Sequence, residues 1–211
     1  MNEDNTIKKE RLPSKWVLVV YGVKAEDRQL STKLRWIVKK YGLWSIDRGG
    51  SVYVGPSNPD MDSELMKTVE ELKDRYGDLS ETFHMFEGEY NEQTTEMFFN
   101  KMVENISSDL DLLENSIMEI VKAINGEMVI KRYGINEVNL LTTGILRINN
   151  AKRIINSVRN VIERFQKEQV EMDTIKTKLD QLSQKLKEVE SVYKDWAKVE
   201  KAKIKAKDTN Q

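Results

Sequence analysis

The chain has no cysteine and only one histidine among its 211 residues. Without cysteine there are no disulfides, thiolate metal sites or cysteine nucleophiles, and a lone imidazole, His84, cannot form a zinc-binding pair. No apolar run approaches the roughly 18 residues that a membrane-spanning helix requires. The amino-terminal segment MNEDNTIKKERLPSK lacks the apolar core of a signal peptide, so we expect a cytoplasmic protein with no membrane partner.

Motifs that carry chemistry are missing as well. His84 lies between Phe83 and Phe86, where a strand histidine usually packs against its neighbours or sits at an edge. The pair Gly49–Gly50 predicts a turn and not a phosphate-binding loop, because no helix start follows it. We therefore expect no catalytic residue, no metal and no cofactor, and we predict that the protein is not an enzyme.

The formal net charge of −1 conceals a segregation of charge along the chain. The net charges are +5 for residues 1–56, −12 for 57–125, 0 for 126–146 and +6 for 147–211. Basic and acidic segments of this kind can neutralise one another, within the chain or between chains. Alternatively, the basic segments meet a polyanion while the acidic segment faces away from it.

The first ninety residues alternate between two hydrophobic periods, which predicts strands interleaved with helices. The predicted strands lie at 15–23, 43–46, 51–54 and 82–86, and the predicted helices run over 28–41 and from Asp62 or Ser63 to Gly77. The order βαββαβ is the ferredoxin-like pattern. We therefore predict a flexible segment at residues 1–14 and an α+β, ferredoxin-like domain at residues 15–90.

Beyond residue 90 the apolar spacing is helical throughout, which predicts a long-helix domain at residues 91–207. Helices are expected at 93–124 and 136–167. The last segment carries a heptad seam, whose members are Met172, Ile175, Leu179, Leu182, Leu186, Val189, Tyr193 and Trp196. This seam either pairs with a second copy in a coiled coil or folds back on the chain's own helices as a hairpin or bundle. The closing sequence KVEKAKIKAKDTNQ is expected to fray.

Basic residues cluster on the first predicted helix and in the turn that follows. The basic members are Lys33, Arg35, Lys39, Lys40 and Arg48, and Trp36, Tyr41 and Trp44 are interleaved with them. Because basic groups neutralise phosphates and aromatic faces stack bases, the cluster predicts binding of DNA or RNA. The competing interpretation is structural, with solvated lysines and with Trp36 or Trp44 in the core. The basic tail from Lys198 to Lys207 offers a second polyanion contact.

Three stretches of the chain carry a resemblance to a known family. They are WVLVVYGV, LRWIVKKYGLWSIDRGGSVYVGPSNPD and ETFHMFEGEYNEQTTEMFFNKMVENI. Their layout resembles the amino-terminal domain of ChrB-type chromate-resistance proteins. The α+β domain at residues 15–90, called the head below, is also similar to the Cas2-like domain of PaaX-type transcriptional repressors and of Cas2 itself. The likeness covers residues 15–125 and implies a ferredoxin-like head, pairing of two copies through their sheets, and a regulatory role.

One departure from this family pattern bears on catalysis. Cas2-type nucleases place an aspartate near the end of the first strand to hold a metal, whereas this chain has Gly22 there. A metal-assisted phosphodiesterase needs hard oxygen ligands, which Gly22 does not supply. Asp27 is close in sequence, but it occupies an expected helix N-cap. We therefore predict no nuclease activity and keep a diverged metal-dependent nuclease as the weakest alternative.

These observations predict a non-enzymatic regulatory or nucleic-acid-associated protein that binds a polyanion through the basic helix face. We expect a homodimer, which the family resemblance favours. The alternative is a structural or scaffolding coiled-coil dimer whose C-terminal helix binds a protein partner. Binding that weakens steeply with salt distinguishes the first hypothesis from the second.

Overall fold

The computed structural model describes residues 12–24, 27–47, 50–79, 81–127, 137–167 and 172–208, and the α+β class is confirmed. The strands are β1 (Lys15–Tyr21), β2 (Trp44–Ser45), β3 (Val52–Pro56) and β4 (Phe83–Glu89). The helices are α1 (Arg28–Lys40), α2 (Pro59–Glu70), α3 (Lys73–Tyr76), α4 (Glu92–Ile124), α5 (Glu137–Lys167) and α6 (Asp173–Asp208). Within these ranges no helix combines the length and the apolar character needed to cross a membrane.

The four strands form one antiparallel sheet in the spatial order β2-β3-β1-β4. β1 lies inside the sheet, hydrogen-bonded to β3 on one side and to β4 on the other. Both faces of an interior strand can be buried, which accounts for the continuous apolar run VLVV. β4 is an edge strand, and one side of its backbone has no partner strand among the residues that the structure describes.

One face of the sheet packs beneath the helices of the head. Val17, Val19 and Tyr21 alternate along β1, so their side chains share this face, and all three are buried. They belong to one core cluster with Leu34 of α1 and Leu65 of α2, both fully buried. Burial of an apolar side chain of this size contributes about 1.5–3 kcal/mol. This cluster therefore holds α1 and α2 against the sheet.

On the opposite face, an aromatic cluster attaches two long helices to the start of β1. The ring of Trp16 is fully buried, with its centroid 5.7 Å from that of Phe98 in α4 and 5.7 Å from that of Phe165 in α5. Its indole N–H donates to the carbonyl of Pro13 at 2.6 Å. Tilted and edge-on ring contacts add to the stabilisation from burial alone. Further along β4 this cover ends, and Phe86 is 53% exposed.

A buried arginine connects α5 to the head. Arg164 donates from Nε to the carbonyl of Tyr41 at 2.6 Å, from Nη1 to the carbonyl of Pro56 at 2.7 Å, and from Nη2 to Asp62 at 2.7 Å. Burial lowers the pKa of Arg164, while the negative charge of Asp62 opposes that shift. A buried charge is tolerated when it is paired and hydrogen-bonded. The arrangement meets both conditions.

The prediction that Asp62 or Ser63 caps the second helix is wrong. α2 begins earlier, at Pro59, and the side chain of Asn58 accepts a hydrogen bond from the first turn at 3.4 Å. Proline suits the first helical position because it has no N–H to leave unsatisfied. Asp62 lies inside the helix, where one carboxylate oxygen pairs with Arg164 and the other accepts from the backbone N–H of Asn58 at 2.9 Å.

The helix predicted to run unbroken to Gly77 is two helices. α2 ends at Glu70, and the four-residue α3 follows after a turn. Leu72 and Leu79 are buried on either side of α3, so both its ends are fixed to the core. Gly77 ends α3 with a φ of 78°, a value that glycine adopts without strain.

The chain divides into two compact units, and the division falls inside the long helices and not at residue 90. Unit 1 comprises Met1–Ile106 and Ser157–Asp173, and unit 2 comprises Ser107–Asn156 and Thr174–Gln211. The first part of α4 and the last part of α5 therefore belong to unit 1. They supply Phe98 and Phe165 to the aromatic cluster around β1.

Within unit 2, the predicted seam of α6 faces the chain's own helices. Its buried members are Ile175, Leu179, Leu182, Leu186, Val189 and Tyr193, and Trp196 is half-buried. Ion pairs connect α6 to α4, where Lys178 meets Asp111 and Lys185 lies 3.3 Å from Glu114. Basic residues of α6 thus neutralise acidic residues of α4 within the chain, the first of the two interpretations of the charge segregation.

The prediction that the chain frays after Lys198 is wrong as far as Asp208, because α6 continues to that residue. Lysine, alanine and glutamate dominate this segment, and all three are strong helix formers. Pairs at helical spacing add support, among them Lys203 with Glu200 at 2.7 Å.

Candidate nucleic-acid interface

The basic face of α1 lies opposite the apolar stripe of the same helix, and burial of that stripe turns the basic face outward. Its members Leu30, Leu34, Ile37 and Val38 are buried in the core cluster, so the positions on the opposite side face outward. Five of the thirteen residues of α1 are basic and none is acidic; the basic residues are Arg28, Lys33, Arg35, Lys39 and Lys40. The helix therefore presents positive charge that no carboxylate of its own offsets.

Helical geometry divides these cations into two rows. At about 100° per residue, Arg35 and Lys39 share one side of the outer face, whereas Lys33 and Lys40 share the other. The two rows lie about 120° apart around the helix axis. An extended polyanion lying along α1 would therefore contact one row directly and the other only at its edge.

The carboxyl end of α1 is fixed by a close approach to α5. Gly42 follows the helix with a φ of 73°, and a Cβ on it would lie 2.6 Å from the carbonyl oxygen of Asn160. The amide of Asn160 in turn donates to the carbonyl of Lys40 at 2.5 Å. Lys39 and Lys40 are consequently held on a rigid helix end, where cations also suit the helix dipole.

Of the three aromatic residues interleaved with these cations, Tyr41 and Trp44 are not free to stack on bases, and Trp36 is half-buried. Trp44 is fully buried and Tyr41 is 7% exposed, so both belong to the core, as the structural interpretation expects for Trp44. The ammonium of Lys39 lies 4.1 Å from the centroid of Trp44, and that of Lys40 lies 4.9 Å from the centroid of Tyr41. Cation–π attraction holds the two lysines over these rings. The rings orient the cations and leave their outer sides to solvent.

Arg35 is engaged by two tyrosines of the sheet. The hydroxyls of Tyr21 and Tyr53 lie 3.3 Å apart, and Tyr21 donates to the carbonyl of Gly50 at 3.0 Å. Burial alone would lower the pKa of Arg35, but the interactions with Tyr53 and Tyr21 outweigh it and raise the pKa. Burial, reinforced by the hydrogen bond to Tyr21, also raises the pKa of Tyr53. Arg35 therefore stays charged while Tyr53 stays neutral.

The turn between β2 and β3 is closed by a carboxylate. Asp47 accepts from the backbone N–H of Val52 at 3.0 Å and from that of Ser51 at 3.2 Å. Burial alone would raise the pKa of Asp47, but these hydrogen bonds outweigh burial and lower the pKa. The predicted phosphate-binding residue Arg48 belongs to this turn and lies outside the described residues.

Two basic residues that sequence reasoning missed join Lys33 in an open groove of about 420 Å³. They are Arg28, at the start of α1, and Arg75, in α3, and Tyr76 also lines the groove. Arg28 carries a signal that was available, because it continues the basic pattern of α1. Arg75 carries none, since only the folded chain brings α3 beside α1.

No arrangement for metal-dependent chemistry is found in the described part of the chain. Its His, Asp and Glu side chains form no group of three that could hold a metal ion. Gly22 contributes only its backbone, whose N–H donates to the carbonyl of Thr82 at 3.0 Å. Asp27 occupies the N-cap position of α1, but its side chain makes no capping hydrogen bond. His84 is exposed, with its ring centroid 6.2 Å from that of Phe86.

Comparisons with known proteins do not identify the chain. No protein-family model matches it, and no curated protein matches its sequence. Its function is therefore argued from the arrangement of its residues.

Proposed function

We propose that the protein is a non-enzymatic regulatory or nucleic-acid-associated protein that binds DNA or RNA through the basic face of α1. The observation that carries this proposal is a thirteen-residue helix with five basic residues and no acidic residue on its surface. Fixed cations on a rigid helix neutralise phosphates and release their counterions, which is the main source of sequence-independent affinity. Because the rings of Tyr41 and Trp44 are buried, neither stacks on bases, and the lysines at this end of the helix contact the phosphate backbone.

The head is proposed to be of the ferredoxin-like type found in the ChrB, PaaX and Cas2-like group. Support comes from the element order β1-α1-β2-β3-α2-α3-β4 and from the sheet order β2-β3-β1-β4. Support for the non-enzymatic role comes from Gly22, which offers no side-chain ligand where nucleases of this group carry an aspartate.

The protein is further proposed to act in the cytoplasm as a homodimer. The α6 seam is already buried within one chain, so it is not the surface that a second copy would use. Support for pairing through the sheet comes from β4, a seven-residue edge strand, and from the exposed ring of Phe86 on it. Exposed edge strands are ready templates for pairing with another chain.

The test of nucleic-acid binding is fluorescence anisotropy with labelled duplex DNA, single-stranded DNA and RNA. The double variant Lys39→Gln/Lys40→Gln removes two cations from the helix end and keeps side chains of similar length. Lys67→Gln/Lys101→Gln is the matched control, since both lysines are exposed on other helices of unit 1. We expect the first variant to weaken binding at least about tenfold at low salt and the control to bind like wild type.

A second candidate function, a scaffold that binds a protein partner through its C-terminal helix, has one observation in its favour. Val192 and Val199 are 55% and 54% exposed, and their seven-residue spacing places them on one face of α6. Binding of this kind would depend on those valines and would change little with salt. Wild-type protein that binds no nucleic acid at low salt would favour the scaffold.

A further inference from the structure

The groove between α1 and α3 combines three cations with an aromatic side chain. Arg28 and Lys33 reach it from α1 and Arg75 from α3, and Gln29, Thr32 and Tyr76 complete its wall. Three positive charges that face one space repel each other unless something negative lies between them. Within the described part of the chain, no carboxylate forms an ion pair with any of the three.

The acidic residues nearest in sequence do not offset this charge. Asp27 precedes Arg28 and Asp74 precedes Arg75, yet neither makes an ion pair with a groove cation among the described residues. The first turn of α1 contains no acidic residue, so the positive end of the helix dipole at Arg28 adds to the same charge. Among the described residues, the three cations of the groove are therefore not engaged in ion pairs within the chain.

The walls of the groove are held in place by the core. Tyr76 packs against the core cluster, and the guanidinium of Arg75 lies 5.3 Å from the centroid of its ring. The hydroxyl of Thr32 is already committed, since it donates to the carbonyl of Arg28 at 2.9 Å. The donors left for a ligand are thus the two guanidinium groups, one ammonium and the amide of Gln29.

We infer that this groove binds a small molecule that carries a phosphate or diphosphate group. The guanidinium forks match phosphate oxygens in two-point hydrogen bonds, and the lysine adds a mobile positive charge. The volume of about 420 Å³ lies within the range of small-molecule sites. Tyr76 offers a ring edge to the organic part of such a ligand. Arg28 and Lys33 belong to the basic face of α1 as well, so the two functions are separated by different variants: Arg28→Gln and Arg75→Gln for the groove, and Lys39→Gln/Lys40→Gln for nucleic acid.

The test is isothermal titration calorimetry of the full chain at low salt with inorganic phosphate, pyrophosphate and ADP. We expect saturable binding of pyrophosphate and ADP, weaker binding of phosphate, and losses of about tenfold in Arg28→Gln and in Arg75→Gln. Arg75→Lys keeps the charge but not the fork, so its loss is expected to be smaller than that of Arg75→Gln. Lys101→Gln, at an exposed position of α4 in unit 1, is the matched control and should bind ADP like wild type.

The inference is overturned if none of the three probes binds saturably, or if both glutamine variants bind ADP as wild type does. Circular dichroism of each variant first establishes that it is folded, and Arg75→Lys serves as the conservative substitute. Failure here leaves nucleic-acid binding untouched, since that is read from Lys39→Gln/Lys40→Gln by anisotropy. Conversely, wild-type protein that binds ADP but no nucleic acid at low salt contradicts the proposed function and supports the groove.

Discussion

At the scale of single residues, Arg164 is the side chain on which unit 1 most depends. Its guanidinium is fully buried and makes hydrogen bonds to two backbone carbonyls and to Asp62. Replacing a buried pair with apolar residues can be nearly neutral, but removing one partner leaves a buried charge without compensation. The pair therefore positions α5 against the head, and loss of either member leaves the other as a buried charge without its partner.

We expect Arg164→Ala to lower the free energy of unfolding by about 3–5 kcal/mol, because it leaves the Asp62 carboxylate and two carbonyls unsatisfied. Urea denaturation followed by circular dichroism measures this. Arg159→Ala, at an exposed position of the same helix, should cost less than about 1 kcal/mol. An Arg164→Ala protein within 1 kcal/mol of wild type would contradict the assigned role.

Asp47 makes stability depend on pH in a defined direction. Its hydrogen bonds to Val52 and Ser51 outweigh the effect of burial and lower its pKa in the folded state. The stability it contributes is therefore fully present above its unfolded pKa of about 3.9 and is lost as the pH falls through the folded value.

We expect Asp47→Asn to be less stable than wild type at pH 7, with the difference shrinking as the pH falls below about 4. Denaturation curves for both proteins at pH 7, 5, 4 and 3 measure the two stabilities. A difference that stays constant across this series would show that the charge of Asp47 is not what closes the turn.

At the scale of helices, packing in unit 2 depends on the one place where α5 has no side chain. A Cβ on Gly144 would lie 2.3 Å from Cε2 of Tyr193. Tyr193 is buried and its hydroxyl donates to the carbonyl of Leu141, so the ring is not free to move aside. Glycine is a poor helix former, and here it is retained because the neighbouring helix carries a tyrosine.

We expect Gly144→Ala to lower the free energy of unfolding by about 1–3 kcal/mol, despite the better helix propensity of alanine. Urea denaturation again provides the measurement. The double variant Gly144→Ala/Tyr193→Leu, which makes room for the methyl group, should lose less stability than the two single variants added together. Strict additivity would mean that the two residues do not touch.

Helices and strands with a clear hydrophobic period could be predicted from the sequence. The partners against which they pack could not. The stripe of α1 and the seam of α6 are local patterns, and their members are buried as expected. The seam's partner is not local, because a stripe of leucines buries equally well against its own chain or a second copy. The break between α2 and α3 was missed because the apolar spacing of a helix continues across it.

At the scale of the whole molecule, a second group of missed features joins distant parts of the chain. Asp62 and Arg164 are 102 residues apart, so the aspartate looked like a helix cap until its partner was placed beside it. Arg75 joins Arg28 in the groove only through folding. For the candidate interface, the basic pattern of α1 and the burial of Trp44, as one of two interpretations, could be predicted, whereas the burial of Tyr41 was not.

The basic segments of the chain differ in how many carboxylates lie close enough to pair with their cations. Lys178 and Lys185 of α6 are paired with carboxylates of α4 in unit 2. The sequence of α1, by contrast, contains five basic residues and no acidic residue. Within the basic tail, Lys198 and Lys203 also pair with Asp195 and Glu200, so α1 is the stronger candidate for contact with phosphates.

The measurement that tests the central claim most directly is the salt dependence of nucleic-acid binding. Association constants for duplex DNA, single-stranded DNA and RNA are measured by anisotropy from about 50 to 200 mM salt, because the slope of log K against log salt counts phosphate contacts. The account predicts a steep negative slope that becomes shallower by about 2 in Lys39→Gln/Lys40→Gln and is unchanged in Lys67→Gln/Lys101→Gln. Absence of binding at the lowest salt, or an equal slope in all three proteins, would contradict it.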